Sequence, residues 1–365
     1  MAMTNPKNSG PSEPTGSPQG AEATPTDSDP RTRSRPTIKD VAARAGVSLG
    51  TASRVLTNHP ATSPAAREKV RAAALALGYQ VNLRARSLRT ARTNAIGLIV
   101  PDIRNPFFAG LAQSIQTEGL ADGFTVFIAS SQEDPDQQDQ HLRTLLEEQV
   151  DGLIVVPLGG MTPMLDRLRD QQIPFVTVDR TLDGLKAPSV DADPLPGVYA
   201  AVEALRDLGH QQIVYVGSLL GSSTGRERLL AFDNASDALL SSTSRMVIAA
   251  PLDGDDWLRE LDSFLGDGAT AVLFGHSRHA LRAFGHLRDA GRAIGDQGIS
   301  LVSFDDLDVF SLLTPAIAAI TQHPEQLAGR AMAMLSAMID GERPGSQRIE
   351  TSLIPRESLA PPATG

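Results

Sequence analysis

Two groups of side chains in this sequence have types and spacings that could do chemistry. The first lies in residues 37–56, where Ala52, Val55 and Leu56 fall on one helical face and leave Leu49, Gly50, Ser53 and Arg54 pointing outward. Outward Arg54 could form a two-pronged fork to guanine O6 and N7, Leu49 could touch only a thymine methyl, and Gly50 has nothing to read with. The second group comprises Asn105-Pro106-Phe107-Phe108 after the first apolar run, Asp179-Arg180 and Asp305 at the ends of later runs, and Arg228 at the opening of a helix. Phenyl faces suit the C–H surface of a sugar ring or a planar base, and the charged groups offer donors and acceptors for hydroxyls. Taken singly, each charged residue also reads as a surface or helix-terminal charge.

These groups need elements to position them. Thr37 can cap a helix that carries Asp40 three residues on and an apolar stripe of Ile38, Val41, Ala42 and Ala45; Gly46 breaks it. Ser48 caps the second helix, and Ser63-Pro64 opens a third, with Ala66, Val70, Ala73, Ala74 and Leu77 inside and Gly78 placed for a left-handed cap. A different rhythm then begins, with apolar runs at 95–100, 124–129, 152–156, 174–178, 212–217, 269–274 and 299–304 separated by amphipathic helical stretches. Continuous apolar strands alternating with helices indicate parallel sheets covered on both faces. The length of this region exceeds one doubly wound sheet, so two lobes are expected, with a ligand cleft beyond the carboxyl ends of the strands. The expected fold is therefore a small all-α head built on a helix-turn-helix plus an α/β body of two doubly wound lobes.

Charge is divided sharply along the chain. The net is −10, yet residues 31–92 hold thirteen Lys/Arg against Asp40 and Glu68, a balance of +11 that leaves −21 for the remainder. A basic end on an acidic body fits phosphate attraction confined to that end. Residues 1–34 contain no Val, Ile, Leu or Phe and are expected to be a disordered tail; Arg31, Arg33 and Arg35 could reach DNA phosphates or form a solvated arm. With no cysteine, disulfides and thiol chemistry are excluded. No apolar stretch of bilayer length and no signal-like N-terminus is evident, so a cytoplasmic location is expected. Neither a phosphate-cradling G-x-x-x-x-G-K-S/T, a G-x-S-x-G elbow nor an H-E-x-x-H is present, so the chain is expected not to be an enzyme and to need no cofactor or metal. An enzyme or a free-standing solute-binding protein of similar α/β fold is the rival reading.

TIKDVAARAGVSLGTASRVL (37–56), GYQVN (78–82) and ARSL (85–88) together resemble the DNA-binding head of the lac, galactose and purine repressor family. VDGLIV (150–155), VDR (178–180), LGH (208–210), RLLAF (228–232), SFDD (303–306) and LIPRES (353–358) extend the resemblance through the body. It implies a periplasmic-binding-protein-like sensor and a transcriptional regulator, most simply a repressor, that binds an operator with inverted symmetry as a homodimer. It divides the chain into a tail (1–34), head (35–80), hinge helix and linker (81–92) and an effector-binding and dimerisation domain (93–365).

By resemblance, Leu49, Gly50 and Arg54 meet base edges, with Ser53 beside them, while Thr37, Ser48, Thr51, Asn58 and Tyr79 position phosphates. Thr37 and Ser48 also serve as caps, and Tyr79 could pack instead. Within NLRARSL (82–88), Asn82 and Ala85 belong to a hinge ordered on DNA, and Leu88 wedges into the minor groove. Phe107, Phe108, Asp179, Arg180, Arg228, His276 and Asp305 are implied to surround a small-molecule effector, with a carbohydrate favoured. Arg228 and Asp305 are expected on different strand-to-helix turns, so that a hydroxylated ligand held by both favours one arrangement of the lobes. One departure stands out: where relatives commonly have Asn-Asp, this chain has His276-Ser277. Ser277 can still cap a helix, and His276 either meets the effector or turns away. Trp257, the single tryptophan, is expected to pack, and without a C-terminal leucine heptad the assembly is expected to stop at a dimer.

Overall fold

Gly46 and Gly78, both with left-handed φ (64° and 61°), close two of the three helices of the N-terminal unit. The computed structural model describes residues 36–56, 60–79, 92–217, 221–240, 245–251 and 254–363. It divides into two compact units, Met1–Leu83 and Arg84–Gly365. The first contains α1 (Ile38–Ala45), α2 (Leu49–Leu56) and α3 (Pro64–Leu77). Asp40 accepts hydrogen bonds from the Thr37 amide and hydroxyl, each at 2.7 Å, and Ser48 Oγ accepts from the Thr51 amide at 3.2 Å. Small residues dominate the interior: Val41, Ala42, Ala45, Ala52, Val55, Val70, Ala73 and Ala74 are buried, so the three helices approach closely. The expected tail, Asn58 and the hinge residues Asn82, Ala85 and Leu88 lie outside the described residues.

The second unit is two doubly wound lobes. In the first, β1 (Ala95–Val100), β2 (Thr125–Ser130), β3 (Gly152–Val155), β4 (Phe175–Val178) and β5 (Ser189–Asp193) are joined by β11 (Gln347–Glu350) in the order β11-β5-β4-β3-β1-β2, all parallel. In the second, β6 (Ile213–Gly217), β7 (Arg245–Ala249), β8 (Ala271–Phe274), β9 (Ser300–Phe304), β10 (Ala318–Thr321) and an antiparallel β12 (Ser352–Ile354) run in the matching order β12-β10-β9-β8-β6-β7. The flanking helices are α4 (Pro106–Ala121), α5 (Pro135–Glu147), α6 (Pro163–Asp170), α7 (Pro194–Asp207), α8 (Ser223–Leu239), α9 (Asp256–Gly266), α10 (Ser277–Asp289) and α11 (Pro324–Ile339).

The chain crosses between lobes three times. After β5 it enters α7, whose Val198, Ala201, Val202 and Leu205 join the second lobe's core. After β10 it returns through α11, whose Leu327, Ala331, Met332 and Leu335 pack on the first lobe's strands. The last crossing joins β11 to β12 at Thr351, whose hydroxyl donates to Asp193 O (2.8 Å) and accepts from the Gly197 amide (3.0 Å), tying two crossings together. Gly197 is required there, because a Cβ would lie 2.5 Å from Ile320 Cγ2 and 2.7 Å from Thr351 Oγ1.

Two expectations need correction. The run at 124–129 is not a strand covered on both faces: it forms edge strand β2, and Phe127 and Ile128 remain 45% and 42% exposed. Arg228 and Asp305 do lie on different strand-to-helix turns facing one cavity, but the crossover at Pro194 places α8 and β9 together in the second lobe, so the two alone give no preference for one lobe arrangement. A ligand held by those two alone bridges nothing; lobe closure needs partners from the first lobe.

Candidate functional site

Strand ends from both lobes converge on one central cavity of about 40 Å³. The first lobe contributes Asn105, Phe107, Phe108, Asp179 and Arg180; the second contributes Tyr215, Ser222, Thr224, Gly225, Arg228, Gly275, His276 and Asp305. Asp179 directly follows β4 and Asp305 directly follows β9, the matching strands of the two sheets, and both residues adopt left-handed φ (66° and 68°). Such a backbone in non-glycine residues is strained, and here it recurs at equivalent corners facing one cavity.

Arg228 is held on three sides. Its Nη1 donates to Gly275 O at 2.8 Å, its Nη2 lies 3.8 Å from Asp305 Oδ1, and its guanidinium sits 3.8 Å from the centre of the Phe304 ring. Gln322 Nε2 donates to Asp305 Oδ1 at 2.5 Å. Burial pushes the Asp305 carboxyl above the usual carboxylate range, while Arg228 and Gln322 pull it down. Asp179 is less well compensated. Burial pushes its carboxyl up to about 6 despite Arg180 and Arg228, and its Oδ1 has no hydrogen-bond partner. Arg180 gives both Nη groups to Glu133 at 2.9 Å each, and its Nε lies 3.8 Å from Asp179 Oδ2, itself without a hydrogen-bond acceptor.

His276 turns out to be the cap of α10: its Nδ1 accepts from the Arg278 amide at 3.1 Å. This corrects the expectation that Ser277 caps; Ser277 Oγ is buried with no partner. Burial, reinforced by Arg228, holds the imidazole pKa well below its ordinary value, so the ring is neutral at pH 7. Since Nδ1 accepts, the proton resides on Nε2, making His276 a hydrogen-bond donor at the cavity wall. Behind it, His279 stands 5.9 Å from His276 and 5.2 Å from Trp257, whose ring is buried in the second lobe's core.

The central cavity is room for one or two waters, too little for a sugar ring. A neighbouring chamber of about 570 Å³ shares Arg180 and Ser222 with it and adds Glu133, Leu158, Thr181 and Pro251. On its other flank, a chamber of about 290 Å³ shares Phe107 and Asp305. The Thr181 amide donates to Ser223 Oγ at 3.0 Å, and Arg348 on β11 pairs with Glu227 on α8, so both contacts span the lobes. A ligand of sugar size in the centre must displace side chains or part the lobes.

In the helical unit, Leu49 and Arg54 are exposed on α2, while Thr51 and Ser53 are half-buried. Arg54 Nε donates to Gly50 O at 3.3 Å, one turn back on its own helix. Tyr79 packs on the three-helix core.

A model of the bacterial regulatory proteins of the lacI family matches residues 37–82, and a periplasmic binding protein-like domain matches residues 202–359. Across 87% of this chain and 93% of the relative, the sequence is 31% identical to the HTH-type transcriptional regulator PtxS of Pseudomonas plecoglossicida. The chain belongs to the lacI family. Among solved structures, the lac repressor dimer bound to operator and the anti-inducer ONPF matches over 90% of this chain and 100% of that one, with TM-score 0.76 and 24% identity. The complex of the transcriptional regulator CelR with cellobiose matches over 89% of this chain and 100% of that one, with TM-score 0.65 and 28% identity. As a lacI-family protein, the chain is a DNA-binding transcriptional regulator whose sensor is the two-lobed unit.

All seven residues that the sequence assigned to the lacI-type effector site border the central cavity. Sequence reasoning missed Glu133, Tyr215 and Gln322. Tyr215 is hidden inside an apolar strand run, but Gly217 and Gly275 flank its ring: a Cβ on either would come within 2.3 Å of it. That pair of glycines was the available signal. Glu133 had none, lying in a loop where both it and Gln132 adopt left-handed φ.

Proposed function

We propose that this lacI-family regulator is a homodimeric repressor whose affinity for an inverted-repeat operator is set by a carbohydrate bound between the sensor lobes. The observation that carries the reading is the convergence of hydroxyl-binding groups from both lobes on one cavity. Asp179, Arg180 and Phe108 stand on one side, and Arg228, His276 and Asp305 on the other. A hydroxylated ring meeting both sides favours the lobe arrangement that brings them together, and only such unequal affinity can shift the equilibrium. The CelR–cellobiose complex supports a sugar in a sensor of this shape. Phe107 belongs to the same wall, packed edge-on to Phe108 at 5.1 Å.

On α2, Arg54 reads a base edge, Leu49 contacts a thymine methyl, and Gly50 contributes no discrimination, leaving neighbouring Ser53 to share the reading. Thr37, Ser48, Thr51, Asn58 and Tyr79 position the backbone; Thr37 and Ser48 do so while capping α1 and α2, and Tyr79 while packing. Residues 81–92, with Asn82, Ala85 and the Leu88 wedge, transmit the state of the lobes. The exposed apolar edge strand β2, with Phe127 and Ile128, and Val247 on edge strand β7 supply the sensor face that a second copy covers. A free-standing solute-binding protein would have no use for the basic helical head.

The test is a thermal-shift screen of neutral sugars and nucleobases, followed by gel shift of promoter DNA with and without each hit. The reading requires at least one sugar that raises the melting temperature and changes operator affinity. It fails if a nucleobase does both and no sugar does.

A further inference from the structure

Charge around the cavities is balanced against an anion. Four carboxylates, Glu133, Asp179, Asp183 and Asp305, border the central cavity and its larger neighbour, against three guanidiniums, Arg180, Arg226 and Arg228. The two deepest guanidiniums are committed: Arg228 to Gly275 O and Asp305, and both Nη groups of Arg180 to the Glu133 carboxylate. What remains unpaired on two residues that line the central cavity is a matched pair, the Arg180 Nε–H donor and the Asp179 Oδ1 acceptor, both buried and both without hydrogen-bond partners. A hydroxyl satisfies such a pair by accepting from one and donating to the other. A carboxylate or phosphate can accept from Arg180 but meets Asp179 as a like charge, so the arrangement selects against it.

We propose that Glu133 is a specificity-determining residue that restricts the effector to uncharged polyols by occupying the fork of Arg180. This rests on the carbohydrate reading and narrows it. Glu133 does not need to touch the ligand. It is 41% exposed at the mouth of the large chamber and acts through Arg180, whose side chain is only 15% exposed. Without Glu133, the Arg180 fork is free for bidentate capture of an acid, the strongest use of a guanidinium. Glu133 therefore excludes sugar acids both by taking up their natural partner and by placing a negative charge at the mouth.

The test compares full-length wild type with Glu133→Gln by calorimetry against matched probes: glucose, galactose, xylose, ribose and cellobiose, each with its aldonate, and the hexoses also with their uronates. Wild type is expected to bind at least one neutral sugar about tenfold or more tightly than its acid. Glu133→Gln is expected to move that ratio toward the acid by about tenfold, the worth of one charge-assisted fork. Adding Arg180→Lys, which keeps the charge but removes the fork, should abolish the shift, a result that a merely structural role for Glu133 would not give. The proposal is overturned if wild type binds an acid more tightly than its parent sugar, a result that needs no variant to fold, or if Glu133→Gln leaves the ratio unmoved. Failure of every probe with both proteins would refute the carbohydrate reading itself, whereas tight binding of an acid by wild type would refute only the part played by Glu133.

Discussion

Replacing Asp179 by Asn removes a buried charge while keeping its shape, and the structure fixes the sign of the effect. The folded carboxyl is pushed up to about 6 from the ordinary 3.8, chiefly by burial. Above pH 6 the folded state carries an ionised carboxylate that would be better solvated in the unfolded chain. As pH falls through 6 toward 4, the folded state takes up a proton that the unfolded state does not yet hold, so this cost disappears. Roughly two pH units at 1.36 kcal/mol each give at most about 3 kcal/mol at neutral pH, with Arg180 still held by Glu133 in the variant. In a unit of this size that corresponds to a rise of up to roughly 5 °C in melting temperature. Asp179→Asn should therefore melt above wild type at pH 7.5, and the gap should close by pH 4.5. Calorimetric melts from pH 4.5 to 8 read this directly. A variant that melts below wild type at pH 7.5, or a gap that does not change with pH, would refute the argument. The ionised carboxylate is the stronger acceptor for a ligand hydroxyl, so sugar affinity in wild type should fall by up to about tenfold between pH 7.5 and 5.

Other outcomes follow from particular residues. Arg54→Ala should cost about 1–3 kcal/mol on the operator and relax preference at one base pair, whereas Arg35→Ala should weaken binding to all DNA alike; fluorescence anisotropy on specific and random duplexes separates the two. Gly275→Ala places a methyl 2.3 Å from the Tyr215 hydroxyl, so it should lower the melting temperature and abolish the sugar-induced thermal shift together. Phe127→Arg on edge strand β2 should turn the dimer into a monomer in sedimentation at micromolar concentration without loss of helical content.

The sequence made parts of this architecture legible and hid others, for physical reasons. Six of the seven strands that could be read are parallel strands covered on both faces and apolar throughout, whereas the seventh, β2, carries its apolar run on an exposed sheet edge. β5 (SVDAD), β7 (RMVIA), β10 (AAIT), β11 (QRIE) and β12 (SLI) were not read, because β7, β11 and β12 lie at sheet edges, β5 ends in polar crossover residues and β10 is only four residues long. The caps at Ser48 and Ser63 are local chemistry and fold as written. His276 was misjudged because an imidazole nitrogen can cap as a carboxylate does, which its residue type does not advertise. Asp179, Arg228 and Asp305 were visible because ligand groups in doubly wound sheets gather at carboxyl ends. That Arg228 and Asp305 share a lobe depends on where the chain crosses over, a tertiary fact that no local pattern displays.

The central claim is that a sugar between the lobes controls the operator. Arg228→Ala is a poor probe, because it would strand the buried Asp305 carboxylate; Arg228→Lys keeps the charge but loses the planar guanidinium that reaches Gly275 O through Nη1 and stacks on Phe304. The decisive measurement is operator affinity of wild type and Arg228→Lys, each with and without the sugar found in the thermal-shift screen, alongside calorimetry of sugar binding. The account predicts that sugar changes wild-type operator affinity at least tenfold, while Arg228→Lys binds sugar much more weakly and its operator affinity ignores the same concentration. Unaltered sugar affinity in Arg228→Lys would place that residue outside the effector site and contradict the account.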